Sequence, residues 1–433
     1  MKFNIQHLVN LSSILLAILW FFVLIWRKPF SYISIGGLYI IDFTIALCIV
    51  ISLSYFFAKN SFKLRLKQSF VWPSLFLFFF FLWSAIGVLG SESINLKSMI
   101  PVIYPLFLIP LYMIISNSSE KLKEKILNFM ILCYAILFIL FYGIREYLLI
   151  GFTSSLPDVS DAGWTFASGI SLAVCISLIR TNILTIVLTA ISLAGLILLF
   201  QRGAILCFLL ALFFVILHVG FRNSFQLYSL KFFSLFCILI LSIPFFETIA
   251  LNILNLDISA FRYEISAEFL LNFVGSIFSS DIDLGGDAIG TRNHRLEMWY
   301  DIIEYNLSSW ERFLFGNGFS GEVGDILGIS FRSPHNGFIT LFFRMGILGV
   351  LLFLLALVAI YNILANEKCN KKTLEYSLSE KASIFGLINL GAFLGDMLTG
   401  TIIDSPFTQF LFLFSITLCI SLVLDKKNEY STS

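Results

Sequence analysis

The chain has 433 residues, 58% of them hydrophobic and 13% charged, with a mean hydropathy of +0.93 and a formal net charge of +1. Soluble domains run about 45–50% apolar and about 25% charged, so this composition excludes an ordinary water-soluble enzyme and reads as a polytopic membrane protein. A near-neutral balance, with no basic patch interleaved with aromatics, excludes a nucleic-acid partner.

A membrane-crossing helix needs roughly 17–25 apolar residues. Twelve runs approach that length: 8–26, 38–58, 71–89, 99–115, 126–150, 165–179, 183–200, 204–221, 230–251, 335–361, 382–401 and 407–424. Their periods are helical or uniformly apolar, unlike the alternating segments of an outer-membrane barrel. The expected fold is therefore an all-α polytopic membrane bundle of about twelve transmembrane helices. The first run is too long for a secretory signal and is followed by Trp26-Arg27-Lys28 rather than by a cleavage site.

Lysine and arginine set the orientation. Lys59, Lys63, Arg65 and Lys67, then Lys121, Lys123 and Lys125, then Lys368, Lys371, Lys372 and Lys381, then Lys426 and Lys427 all fall on one side when both termini face the cytoplasm. Lysine is almost absent from the opposite loops. The domain reading is spans 1–9 over residues 1–251, an outer cap over 252–334, spans 10–12 over 335–424 and a cytoplasmic tail over 425–433.

The cap breaks the apolar pattern. It carries twelve acids, five arginines and no lysine. Structureless loops longer than about 15 residues are uncommon, so helices are expected inside it. Ile258, Phe261, Ile265 and Phe269 recur at helical spacing; so do Leu296, Trp299, Ile303 and Leu307, after a cap at Asn293. Gly316-Asn317-Gly318 breaks that second pattern. The segment reads as a small helical cap resting on the membrane.

His335 opens the tenth run, in Ser333-Pro334-His335-Asn336-Gly337. An imidazole at the outer membrane face can take a proton from an attacking hydroxyl near neutral pH. If the helix were straight, Gly346 would lie about 20° and Gly349 about 40° from His335 around it. That would leave a small-residue face below the histidine, for a neighbouring helix or a lipid chain. Arg202, between the seventh and eighth runs, sits at the same expected level. Its planar guanidinium suits phosphate oxygens. Arg295 begins the Trp299 helix, and Asn336, Asp396 and Arg332 are candidate supporting residues. Arg344 reads as the structural partner of an acid such as Asp42 or Asp396.

The seven cysteines, none of them in the cap, read as small buried hydrophobes rather than as disulfides or metal ligands. Nucleotide-binding, zinc-protease and serine-hydrolase signatures are missing, so no metal and no cofactor are expected.

At these residues the chain resembles the bacterial O-antigen ligase and O-antigen polymerase superfamily. The likeness covers the whole expected topology, including one large periplasmic loop between spans 9 and 10. Arg202 to Leu206 is similar to the family's R-x3-L element, and Arg295-x3-Trp299 to the start of its loop helix. His335-Asn336-x9-Gly346-x-x-Gly349 matches the family's H-[NSQ]-x9-G-x-x-G pattern in full.

The resemblance implies an inner-membrane enzyme with a periplasmic site. Its donor would be an undecaprenyl-diphosphate-linked glycan, and its metal-independent transfer would invert the anomeric carbon. Arg202 and Arg295 would hold the diphosphate and His335 would take the acceptor's proton. The acceptor is a growing glycan in a polymerase or lipid A-core in a ligase. Other expected partners are membrane lipid and a chain-length regulator. A cap of formal charge −7 is a poor platform for a phosphorylated core, which favours polymerase. The histidine motif is the one associated with ligases, and the polymerase R-x10-G pattern is absent. A lipid-linked glycan transporter or flippase is the alternative from another class. Transporters place sites near the midplane on broken helices, whereas the notable polar residues here cluster at one face.

Overall fold

The computed structural model describes residues 5–31, 34–35, 38–58, 68–89, 104–140, 163–179, 182–198, 202–220, 287–319, 323–328, 334–367, 376–399 and 406–431, together with Asn223 and Lys231. Helix α1 (Ile5–Ser31) passes through a minimal antiparallel hairpin, β1 (Ser34–Ile35) with β2 (Leu38–Tyr39), into α2 (Ile40–Ala58) and α3 (Gln68–Leu89). A 3-10 turn (Tyr104–Phe107) runs into α4 (Leu108–Ser116), followed by α5 (Glu120–Ala135), α6 (Gly163–Ser177), α7 (Ile183–Leu198) and α8 (Arg202–Val219). The cap contributes α9 (Asp287–Leu307), α10 (Trp310–Phe315) and α11 (Val323–Leu327). The chain then forms α12 (Gly337–Ala365), α13 (Leu378–Thr399) and α14 (Pro406–Ser431).

This is an all-α bundle apart from the hairpin. Among the described residues four helices are long and apolar enough to cross a membrane: parts of α1 and α14, and the whole of α12 and α13. Shorter apolar helices coincide with six more of the expected runs. The ninth run, apart from Lys231, lies outside the described residues, as do the Ile258–Phe269 pattern and Arg332.

The bundle is built around α13 and α14. Their faces are buried almost all round, and within α14 Ser415 donates to the Leu411 carbonyl four residues back, at 2.7 Å. Small residues let α13 meet α8. A side chain at Gly391 would strike the backbone of Ala211, and one at Gly395 the backbone of Cys207. The outer helices are different. One side of α3 exposes Trp72, Phe78, Phe79, Leu82 and Ile86, and one side of α1 exposes Leu11, Leu15 and Ile18. Aqueous exposure of such stripes is unfavourable, and lipid contact removes the cost.

One end of the bundle is held by charged and polar side chains. Gln6 donates to the Asn117 carbonyl at 2.8 Å, and Ser13 meets Ser118 at 2.6 Å, tying the start of α1 to the start of α5. Lys123 pairs with Asp425, and Lys426 with Glu367. Ser379 donates to Glu367, and Ser383 donates to the Leu364 carbonyl at 2.7 Å while meeting His218 at 3.2 Å. Lys231 donates to the carbonyls of Cys175, Ile176 and Ile179 and closes the end of α6. The beginning of α1 and the end of α14 therefore lie at the same end of the molecule.

Candidate functional site

The opposite end holds the motif residues, and α12 organises it. Gly346 takes φ 63° and ψ −170°, which divides α12 into a short first half and a long second half. The sequence expectation of one straight helix with a glycine face under His335 is corrected here, because 100° per residue does not carry across the break. The second half, Ile347 to Ala365, is by itself about 28 Å long. It needs no help from the first half to cross a hydrocarbon core of about 30 Å.

Cross-links to α13 show how sharply the chain turns. Ser383 reaches the Leu364 carbonyl near one end of α13, and Asn336 donates to the Leu398 carbonyl, at 3.1 Å, near the other. Between those ties α13 advances 15 residues, or about 22 Å, whereas α12 advances 28 residues, or about 42 Å. The extra length is accommodated only if the first half of α12 turns away from the bundle axis and lies across its outer end.

The break is fully capped. A helix that stops leaves its last four carbonyls without intrahelical partners. Those of the first half belong to Phe342, Phe343, Arg344 and Met345. Asn306 of α9 donates its amide to Phe342 O at 2.7 Å. The backbone N–H of Asn317 reaches Phe343 O at 2.8 Å, and that of Gly318 reaches Arg344 O at 3.0 Å. The indole of Trp83 in α3 donates to Met345 O at 2.9 Å. Asn317 also donates to Asn306 Oδ1, at 2.7 Å, which orients that amide.

Both motif glycines serve the turn. A Cβ on Gly346 would lie 2.3 Å from the Leu314 carbonyl oxygen, and one on Gly349 would lie 2.3 Å from Cβ of Met345. Gly316, at φ 75°, is the counterpart on the cap: its Cβ would lie 2.4 Å from the backbone of Arg344 and Met345. Only residues without side chains admit that backbone-to-backbone crossing.

His335 stands at the free end of the first half-helix. Its φ of 49° makes it the single non-glycine residue with positive φ among the described residues. That left-handed conformation costs an L-residue about 1–2 kcal/mol. Neighbours on both sides impose it. The Trp299 indole donates to the Pro334 carbonyl at 2.6 Å. On the other side, Asn336 is the N-cap: its Oδ1 accepts from the amides of Phe338 (3.0 Å) and Ile339 (3.1 Å) while its Nδ2 holds Leu398. The helix thus starts at Gly337, and the histidine precedes the cap. His335 is half-buried, whereas Asn336 is buried.

The other motif elements meet the same helix end. Gly203 is so close to α13 that a Cβ there would lie 2.6 Å from Thr399 Oγ1 and 2.7 Å from Thr165 Cγ2. The backbone of Arg202, the first residue of α8, is therefore beside Thr399, while Asn336 is tied to Leu398. Arg295 is half-buried one turn before Trp299 on the same side of α9, and Trp299 is bonded to the residue preceding His335. The starts of α6, α8 and α12 converge at the end of α13, and helix starts carry partial positive charge that favours anions.

Several expectations need correction. The Trp299 helix begins at Asp287, not after Asn293. Leu296, Trp299, Ile303 and Leu307 recur along α9 as expected, but Trp299 turns toward Pro334 while the other three are exposed. Arg344 does not pair with Asp396; it donates to the Gly318 carbonyl at 3.4 Å and lies over the Phe319 ring. Asp42 accepts from Tyr104. Asp396 lies one turn below Thr399, buried against Cys207 of α8. The described cysteines, Cys133, Cys175, Cys207 and Cys419, are buried and unbridged. Asn306, Asn317, Gly316 and Trp83 were not singled out by sequence, although the Gly316-Asn317-Gly318 break marked where the cap meets α12. No protein-family model and no curated protein matches the chain.

Proposed function

We propose that the protein is an integral-membrane glycan transferase at the outer face of a bacterial inner membrane, built on about twelve spans with cytoplasmic termini and a periplasmic cap. The observation that carries this reading is His335. A titratable side chain is held in a strained conformation where the starts of α6, α8 and α12 and the arginine-bearing α9 converge. Strained residues cluster at functional sites because surrounding structure must over-determine them.

In the proposed reaction an acceptor sugar hydroxyl attacks the anomeric carbon of a glycan linked to undecaprenyl diphosphate. The new C–O bond forms as the bond from that carbon to the diphosphate oxygen breaks, with inversion. The hydroxyl proton passes to the imidazole of His335, and the electron pair leaves with the diphosphate. Arg202, Arg295 and the helix starts offset the charge that develops on the leaving group, where fixed dipoles are most effective. The excess of seven acids over arginines in the cap supports a polymerase, whose acceptor is another glycan. Ligation to lipid A-core is the second reading, supported by the complete histidine–glycine motif. A transporter is less well supported: the four carbonyls at the α12 break are all capped by protein, whereas broken transporter helices offer such groups to cargo.

The test is the lipopolysaccharide pattern of a deletion strain. Core bearing one repeat unit, without a ladder, establishes polymerase. Bare core with accumulating lipid-linked polymer establishes ligase, and an unchanged ladder refutes both.

A further inference from the structure

Helix α9 divides into three longitudinal sectors. Met298, Ile302 and Asn306 are buried against α11 and the first half of α12, in a cluster with Val323 and Phe343. A second sector, about 60° wide, holds Leu296, Tyr300, Ile303 and Leu307. All four are exposed, Tyr300 at 67% and Leu307 at 59%, and Trp310 at the start of α10 continues the line at 66%. A third sector, again about 60° wide, carries only the acids Glu297, Asp301 and Glu304 and is exposed too. Protein, then apolar surface, then acid is the cross-section of a helix lying at a boundary between lipid and water.

We infer that the apolar sector of α9, with Trp310, is immersed in the outer leaflet at the acyl–headgroup boundary. The cap then acts as an interfacial anchor rather than a lid standing in water. Two further observations favour lipid over a protein or glycan occupant. Phe315, at the end of α10, stacks on Trp83 at 4.7 Å and 14°. Trp83 belongs to the stretch of α3 that exposes Phe79, Leu82 and Ile86, so the apolar surface of the cap continues that of a membrane helix. The sector is also mainly leucine and isoleucine, with Tyr and Trp as its aromatics. Leucine and isoleucine suit acyl chains, and Tyr and Trp suit the headgroup level. A glycan platform would want hydrogen-bonding groups beside the rings, and this sector has only the Tyr300 hydroxyl. The inference rests on the bundle spanning a membrane and not on the transferase reaction.

Site-directed spin labelling in phosphatidylcholine nanodiscs tests it. Labels go at Tyr300→Cys, Ile303→Cys and Leu307→Cys, at Glu297→Cys, Asp301→Cys and Glu304→Cys, and at Phe79→Cys as a lipid reference. Power saturation compares oxygen, which partitions into lipid, with a water-soluble nickel chelate. The expected result is oxygen preference at 300, 303 and 307, matching Phe79, with nickel preference at 297, 301 and 304. Nickel preference at all six cap positions would overturn the proposal by placing the sector in water. Protection from both reagents at 300, 303 and 307 would overturn it in favour of a macromolecular occupant. Nickel preference at Phe79 would instead show that the membrane reading of the bundle has failed.

Discussion

The two ends of this bundle are held together by different chemistry. At the end that holds both termini, charged side chains do the tying: Lys123 to Asp425, Lys426 to Glu367 and Lys231 to three carbonyls. At the end that holds His335 the ties are mainly neutral donors on backbone carbonyls, Arg344 on the Gly318 carbonyl being the charged exception. Trp299 holds Pro334, Asn336 holds Leu398, Asn306 holds Phe342 and Trp83 holds Met345. Neutral amides and indoles fix backbone geometry without adding fixed charge. Under the proposed function that economy has a use, because each scaffolding charge near the site would compete with Arg202, Arg295 and the helix starts for a diphosphate. The end that holds both termini would have no such constraint.

Substitutions can break this contrast, beginning with the largest effect. His335→Ala should reduce glycan transfer by about 10²–10⁴-fold, the usual contribution of a positioned proton acceptor. The protein should still reach the membrane at normal levels, because Trp299 on the Pro334 carbonyl and Asn336 on Leu398 hold the backbone on both sides without the imidazole. Transfer assays beside quantitative immunoblots would check both statements. Gly346→Ala should abolish folded protein or transfer outright. It pairs an unfavourable left-handed conformation with a Cβ only 2.3 Å from the Leu314 carbonyl oxygen. Thermal unfolding in detergent should reveal the loss.

Arg295→Lys keeps the charge and removes the planar fork, so transfer should fall by about tenfold or more while the melting temperature holds. Asn306→Ala leaves the buried Phe342 carbonyl without its amide donor, at a cost of about 1–3 kcal/mol. Through the half-helix it should also lower transfer more than it lowers expression. At the other end, Lys426→Gln breaks a partly exposed pair, which is worth at most about 1 kcal/mol. It should leave the transfer rate unchanged. A loss of activity there comparable to that of Asn306→Ala would erase the distinction between the two ends.

Much of the architecture was legible in the sequence because apolar runs are a local property. Ten of the twelve expected runs coincide with apolar helices among the described residues, and lysine grouped the helix ends that the ion pairs join. The Gly346 break was not legible. Glycines three residues apart in a membrane helix ordinarily mark close packing, and the positive φ is imposed by a crossing with Leu314 and Gly316, some thirty residues earlier. That is tertiary information. For the same reason the different surroundings of Leu296 and Trp299 were not legible. Both are large and apolar at helical spacing, and only the Pro334 carbonyl separates the indole that has a partner from the leucine that does not. The expectation of Asp42 or Asp396 beside Arg344 was corrected for a different reason. Charge balance pointed to an acid, but the chain turn at Gly318 offers a carbonyl and Phe319 a ring face within reach.

The most direct test of the account uses purified protein in nanodiscs, an undecaprenyl-diphosphate-linked glycan donor and a repeat-unit acceptor, with free undecaprenyl diphosphate as the readout. The account predicts acceptor-dependent release by the native protein and release at least about a hundredfold slower with His335→Ala. Equal release by the two proteins would contradict the role assigned to the strained histidine at the end of α13. No release by either, with both lipid A-core and repeat unit supplied, would contradict the transferase reading itself.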